Sequence, residues 1–199
     1  MFVTFEGLDG SGKSTQARLL GEHLVASGRD AVLTREPGGT PLGEALRPLL
    51  LAGSVEVSPW AEAALFTAAR AELVERVIRP ALERGADVVS DRYLDSSLAY
   101  QGIARELGVE RVLELNLHAT RGLLPDRTFL LLLDPEESAR RVGDAPDRIE
   151  REGAGFRARV DAAYRELAEL FPRRVIPVDG SRRPDEIANL IRDELRDVS

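Results

Sequence analysis

A chain of 199 residues with 43% hydrophobic and 31% charged residues is long enough for one domain with a substantial core. Its formal net charge of −7 argues against a broad nucleic-acid-binding surface, and the absence of cysteine excludes disulfides and thiolate metal sites. No apolar run approaches membrane-spanning length, and the strand pattern that begins at Met1 leaves no signal peptide, so no membrane partner and a cytoplasmic location are expected.

Phe2 to Phe5 reads as a strand, and Gly7-Leu8-Asp9-Gly10-Ser11-Gly12-Lys13-Ser14 follows with the spacing G-x-x-x-x-G-K-[ST]. Three glycines let the backbone turn tightly and aim N–H groups inward at phosphate oxygens. Lys13 would meet the β- and γ-phosphates, and the Ser14 hydroxyl would reach Mg²⁺. From Thr15 to Val25 the apolar residues recur at helical spacing, which completes the strand–loop–helix setting this motif needs. Lys13 is the chain's only lysine among 27 basic residues. A compact ammonium stands where a planar guanidinium would not fit between phosphates.

Gly28 ends the first helix, and Ala31 to Thr34 forms a second strand. Arg35 to Pro41 can be neither helix nor strand interior, and a helix starts with Thr40 as N-cap and Pro41 at its first position. Ser58-Pro59 repeats that signal for a longer helix through about Glu83. Asp87 to Asp91 is a buried strand, Val109 to Leu117 a helix, and Thr128 to Leu133 the most apolar strand, stopped by Asp134-Pro135. Arg140 to Gly153 is arginine-rich and broken by Gly143 and Pro146, a short lid. A helix from about Phe156 to Leu170, a strand from Arg174 to Val178 and a helix from Pro184 close the chain.

Alternating strands and helices predict a single α/β domain over residues 1–199, a parallel sheet of about five strands with helices on both faces. Ligands in such sheets bind beyond the carboxyl ends of the strands, where the glycine loop, Arg35-Glu36 and Asp91-Arg92 all fall. This is the three-layer architecture of a P-loop kinase.

Three further stretches resemble the thymidylate kinase family: Thr34-Arg35-Glu36-Pro37-Gly38-Gly39-Thr40, the long run from Asp91 to Gly102, and Asp147-Arg148-Ile149-Glu150. With the glycine loop they span about residues 2–150 in the family's order. The resemblance implies transfer of the γ-phosphoryl of ATP to dTMP with Mg²⁺, giving dTDP for dTTP synthesis, and a homodimer. The nucleophile would be a phosphate oxygen whose second pKa is about 6, so no general base is needed. His23 and His118 lie away from every motif and read as surface or interface residues.

The resemblance also implies roles for single residues. Residues Gly7 to Thr15 would hold ATP phosphates, with Lys13 acting on the moving group. Arg92 would clamp the dTMP phosphate, and Arg35 and Arg47 would hold the loop and the same region, though each also reads as a structural ion pair. Asp9 would bind the sugar 3′-hydroxyl and organise waters on Mg²⁺. Asp91 and Glu36 are candidates for Mg²⁺ or for pairing with Arg92 and Arg35, the structural role being preferred; Glu36 also counts among the dTMP contacts. Phe66 and Arg70, four apart on a predicted helix, would stack on thymine and bond its O4. Ser97 and Gln101 would meet the N3–H and carbonyl edge, and Tyr100 would exclude a ribose hydroxyl; Tyr93 reads as packing. No arginine lies within Asp9-Gly10-Ser11, so the lid must supply one from Arg140, Arg141, Arg148 or Arg151, with Arg148 favoured by its setting. The turn at Asp179-Gly180-Ser181 would border the adenine.

Two other readings compete. Another nucleoside monophosphate or deoxynucleoside kinase shares the architecture. A nucleotide-dependent switch would carry Asn-Lys-x-Asp, which a chain with one lysine cannot contain elsewhere, and an assembly ATPase ordinarily has an acid after its second aspartate, where Arg92 stands.

Overall fold

The computed structural model describes residues 1–53, 55–142 and 147–196. Among them five strands form one sheet: β1 (Phe2–Glu6), β2 (Ala31–Arg35), β3 (Asp87–Asp91), β4 (Arg127–Leu132) and β5 (Val175–Asp179). Their order is β2-β3-β1-β4-β5 and every pairing is parallel. The three inner strands are nearly all buried because helices cover both faces. Thr4 stands opposite Ser90 and Thr128, and the two threonine hydroxyls meet at 2.8 Å.

Side chains alternate across the sheet and so divide the core in two. Val3, Phe5, Phe129 and Leu131 meet Ala17, Leu20 and Leu24 of α1 (Lys13–Ala26) and Ile187 and Ile191 of α9 (Pro184–Glu194). Phe2, Val88 and Leu130 belong to the other half, with Leu73, Leu98, Val160 and Leu167. Burying one such large side chain contributes about 1.5–3 kcal/mol, so both halves fix β1 firmly beneath the glycine loop. Gly28, with φ +79°, closes α1: its N–H reaches Val25 O at 2.9 Å and that of Arg29 reaches Leu24 O at 3.0 Å.

Helix α2 (Pro41–Leu51) starts as its signals predict, with Thr40 Oγ1 accepting from the Gly43 N–H at 3.0 Å. The long helix after Ser58 runs to Glu83, as expected, but in three parts. α3 (Pro59–Leu73) widens into a π turn at Val74–Ile78 before α4 (Arg79–Glu83), because Pro80 brings no N–H to the ladder. α6 (Val109–Thr120) and α8 (Ala154–Leu170) match their sequence patterns closely.

Two segments differ from the sequence reading. After β3 the chain turns at once into α5 (Leu94–Ser97), which widens into a π turn over Leu98–Ala104. The arginine-rich stretch is not irregular throughout, since α7 (Pro135–Val142) carries Arg140 and Arg141 in its last turn. Asp134 does more than stop β4: its Oδ1 accepts from the N–H groups of Glu136 and Glu137 at 3.0 and 3.1 Å and so starts α7. Gly143 and Pro146, the expected breakers, lie outside the described residues.

Candidate active site

The glycine turn links the end of β1 to α1, with Gly7, Gly10 and Gly12 at φ +132°, +80° and +101°. Each conformation suits glycine, and a Cβ on Gly7 would sit 2.4 Å from Leu131 O on β4. Gly10 packs under α7, where a Cβ would lie 2.7 Å from Ser138 O and 3.1 Å from the Arg141 Cβ. The Ser138 hydroxyl bonds Asp9 O at 2.5 Å, which ties α7 to the turn. Lys13 Nζ is buried, donates to Leu8 O at 2.7 Å and lies 3.4 Å from Asp9 Oδ1. Burial and the nearby Arg92 push the ammonium pKa down, while Asp9, Asp91 and Glu6 act the other way. The Ser11 hydroxyl is buried and takes no hydrogen bond among the described residues. Ser14 and Thr15 are exposed at the helix start, and Ser14 Oγ donates to Asp91.

Arg92 stands at φ +74°, where non-glycine residues are strained. Its backbone is held there by its own N–H on Phe5 O at 3.0 Å and by the Ser90 hydroxyl on its carbonyl at 2.7 Å. Nη2 donates to Asp9 Oδ1 at 2.6 Å, and Nη1 donates to Ser96 Oγ and Tyr164 Oη at 2.9 and 3.1 Å. These bonds use three of the five guanidinium N–H groups, and the Tyr100 hydroxyl also accepts from the guanidinium, so the fork is not fully spent inside the protein. Burial would raise the Asp9 pKa, but Arg92 and Lys13 outweigh it and hold the carboxyl well below the usual range.

Beneath Arg92 lies Glu6, which the sequence reading did not single out. Its carboxylate is buried and accepts from the N–H groups of Tyr93 and Ser96 and from the hydroxyls of Ser96 and Tyr164, at 2.6 to 3.2 Å. Burial first, then the charge of Asp95, pushes its pKa up to about 7. Glu6 and Tyr164 are 158 positions apart, and only the fold joins them.

A cavity opens beside the turn, and its lining includes Asp9, Arg92, Glu36, Arg47, Phe66 and Tyr100, together with Ser97, Gln101 and Asp147. Most of the residues expected at a nucleotide acceptor therefore converge. Arg47 donates to Pro37 O at 2.6 Å, so it does hold the loop. The Arg92 guanidinium lies 5.5 Å from the Tyr100 ring centroid. Tyr93 packs edge-on against Phe2, as its packing role requires.

Arg70 does not line the cavity. It is 1% exposed and spends all five N–H groups inside the protein, on Glu36, Ser97, Asn116 and the Tyr93 carbonyl. Glu36 therefore pairs with Arg70 rather than with Arg35 or Arg92. Arg35 is exposed, pairs with Glu44 at 3.3 Å and lines a separate groove together with Ser14 and Asp91.

The lid arginines also fall differently. Arg148 donates to Glu62 at 2.5 Å and to Leu50 O at 2.8 Å, so it is bound to α3 and α2. Arg151 reaches Ala52 O at 3.0 Å. Arg140 pairs with Glu137 at 2.6 Å, and Arg141 bonds Glu137 at 3.0 Å and lies 3.5 Å from Gly180 O. Gly180 itself abuts the turn, since a Cβ there would be 3.3 Å from Ser11 O. His23 and His118 are exposed, on α1 and α6. No helix among the described residues is long and apolar enough to cross a membrane.

The family model described as thymidylate kinase matches residues 5–191. The chain is 49% identical over 210 residues to a protein named thymidylate kinase from Bifidobacterium longum subsp. infantis, covering all of this chain and 90% of that one. It is 52% identical over 195 residues to the protein of that name from Leifsonia xyli subsp. xyli, covering 96% and 92%. The fold is similar to the crystal structure of thymidylate kinase from Ehrlichia chaffeensis, with TM-score 0.79, 32% identity and 98% of each chain covered. A glycine turn, an arginine fork beside it and a match across nearly the whole length lead to one conclusion: the chain belongs to the thymidylate kinase family.

Proposed function

We propose that the glycine turn holds the triphosphate of ATP and that the adjoining cavity holds dTMP, its phosphate toward Arg92 and its base toward Phe66, Ser97 and Gln101. One observation carries this reading: Asp9 belongs both to the turn and to the cavity wall, so the two sites meet end to end. A dTMP phosphate oxygen attacks the γ-phosphorus of ATP, the bond to the β,γ-bridging oxygen breaks, and dTDP and ADP result. Lys13 neutralises charge on the transferred group, and the Arg92 fork orients the acceptor phosphate. The acceptor is already ionised near neutral pH, so proton transfer by a side chain is not required.

The hydroxyl of Ser14 and the carboxylate of Asp91 would hold Mg²⁺. Among the described residues no three acidic, histidine or cysteine side chains are placed together to hold a metal ion, so the remaining ligands would be phosphate oxygens and water. When bound, it supplies neutralisation of the phosphate charge. Arg141, rooted over Gly10, is better placed than Arg148 to reach the phosphates, with Arg140 beside it. Tyr100 faces the sugar and disfavours a ribose, and the Asp179-Gly180-Ser181 turn borders the adenine. The enzyme works in the cytoplasm as a homodimer on these small molecules.

A coupled ADP-release assay with dTMP, dUMP, CMP and thymidine in turn tests the reading. The greatest rate is expected with dTMP. A thymidine preference would make the chain a deoxynucleoside kinase, and ADP release without any acceptor would make it an ATPase.

A further inference from the structure

Glu62 lies on α3 one turn before Phe66, yet it does not line the cavity. Its carboxylate is 1% exposed and is crowded by donors. Oε1 accepts from Gln101 Nε2 at 2.8 Å and Arg105 Nε at 3.1 Å, while Oε2 accepts from Arg105 Nη2 at 3.2 Å and Arg148 Nη2 at 2.5 Å. Burial would raise its pKa, but these bonds outweigh burial and hold the carboxyl below its ordinary value. Glu62 is thus an ionised group that accepts and cannot donate.

That fact settles which way Gln101 points. The two ends of a glutamine amide are similar in shape and opposite in hydrogen bonding, and only the NH₂ end can face a carboxylate. With Nε2 held on Glu62, the carbonyl oxygen is the end left for the cavity that Gln101 lines. Ser97 is preset in the opposite sense. Its oxygen accepts from Arg70 Nη1 at 2.9 Å, which leaves its own O–H to donate. The wall therefore shows an acceptor beside a donor, the complement of a ring N–H beside a carbonyl.

We propose that Glu62 is a positioning residue for base selectivity: by fixing the Gln101 amide it makes the site accept pyrimidines with an N3–H, thymine and uracil, and refuse cytosine, whose N3 is a lone pair. Two guanidinium groups, from Arg105 and Arg148, make this buried charge tolerable, and Arg105 is shared with Glu152 at 2.8 Å. The inference rests on the placement of the base at Gln101 given above.

The test compares kcat/KM for dTMP and dCMP in the wild type, Glu62→Gln, Glu62→Asp and Gln101→Leu. A glutamine at 62 can donate as well as accept, so the Gln101 amide is free to turn over. In Glu62→Gln the dTMP-to-dCMP ratio is expected to fall about tenfold or more, through KM rather than kcat, and Glu62→Asp is expected to keep it. A parallel loss for both substrates in Glu62→Gln, with the ratio kept, overturns the proposal. An unchanged ratio in Gln101→Leu removes Gln101 from the base and the proposal with it. A ratio that collapses in Gln101→Leu and survives in Glu62→Gln also overturns the proposal, while leaving the placement of the base at Gln101 standing.

A measurement on the unaltered enzyme covers failure of the variants to fold. The chain has two glutamines, Gln16 and Gln101, so side-chain ¹⁵N-glutamine spectra are easily assigned. The Gln101 amide protons should be protected from exchange both before and after dTMP is added. Protection that is missing in the free protein, or appears only with dTMP, contradicts a preset amide.

Discussion

Two ion pairs border the same cavity and are built to opposite rules. In Glu36–Arg70 the side chains are 4% and 1% exposed, and every guanidinium N–H is used inside the protein. In Asp9–Arg92 they are 40% and 14% exposed, not every guanidinium N–H is taken, and the backbone is held in a strained conformation. A saturated pair has nothing to offer a ligand and serves to hold shape. An unsaturated one, kept in place by groups behind it, is where an anion is to be met.

The contrast can be broken at several points. Lys13 belongs with the unsaturated set, having one ammonium N–H beyond its contacts with Leu8 and Asp9, so Lys13→Ala should lower kcat by at least about 10³ with the fold intact. Near-normal turnover would reject the phosphate role of the turn. Arg70→Ala leaves Glu36 buried and unpaired, which should cost about 3–5 kcal/mol and lower Tm by about 6–20 °C in a chain of this length. If Arg70→Ala instead unfolds like the wild type and loses only dTMP binding, Arg70 is a ligand contact after all. Arg92→Ala should show the reverse, a loss of about 10²–10³ in kcat/KM for dTMP with Tm little changed.

Arg148→Ala should cost less than about tenfold in kcat, since its guanidinium is spent on Glu62 and Leu50; a larger loss would restore it as the group acting on transition-state charge. The smallest effect concerns pH. Burial pushes Glu6 from 4.5 up to about 7, so the folded protein keeps that proton longer than the unfolded chain does. The stability this contributes is complete below pH 4.5 and is lost as pH rises through 7. Glu6→Gln cannot titrate, so its Tm should fall less steeply than the wild type's over that window. Parallel Tm curves would show that Glu6 titrates alike in both states.

How much of this was legible follows from distance along the chain. The glycine turn was readable because eight adjacent residues contain all its groups. The spacing of Phe66 and Arg70 rightly put them on one helix, but spacing gives a face and not a depth. Arg70 turned inward because Glu36, 34 positions earlier, is delivered beneath it by another loop. Helix α7 was spelled out by Asp134, Pro135 and two glutamates, yet the same dipeptide also ends a strand, and the second meaning hid the first. Glu6, Ser96 and Tyr164 had no local signal, because their only link is a network that closes after the sheet and α8 are packed.

The seating of Gly10 under α7 limits how such an enzyme could be rebuilt. With Ser138 O 2.7 Å from where a Cβ would be, position 10 has no space for a longer residue while that helix stays in place. A long side chain grafted onto the turn at position 10 and a helix resting on it would compete for the same space. In this chain the helix fills that space, so exchanging one for the other would require moving a whole helix and not merely swapping one amino acid.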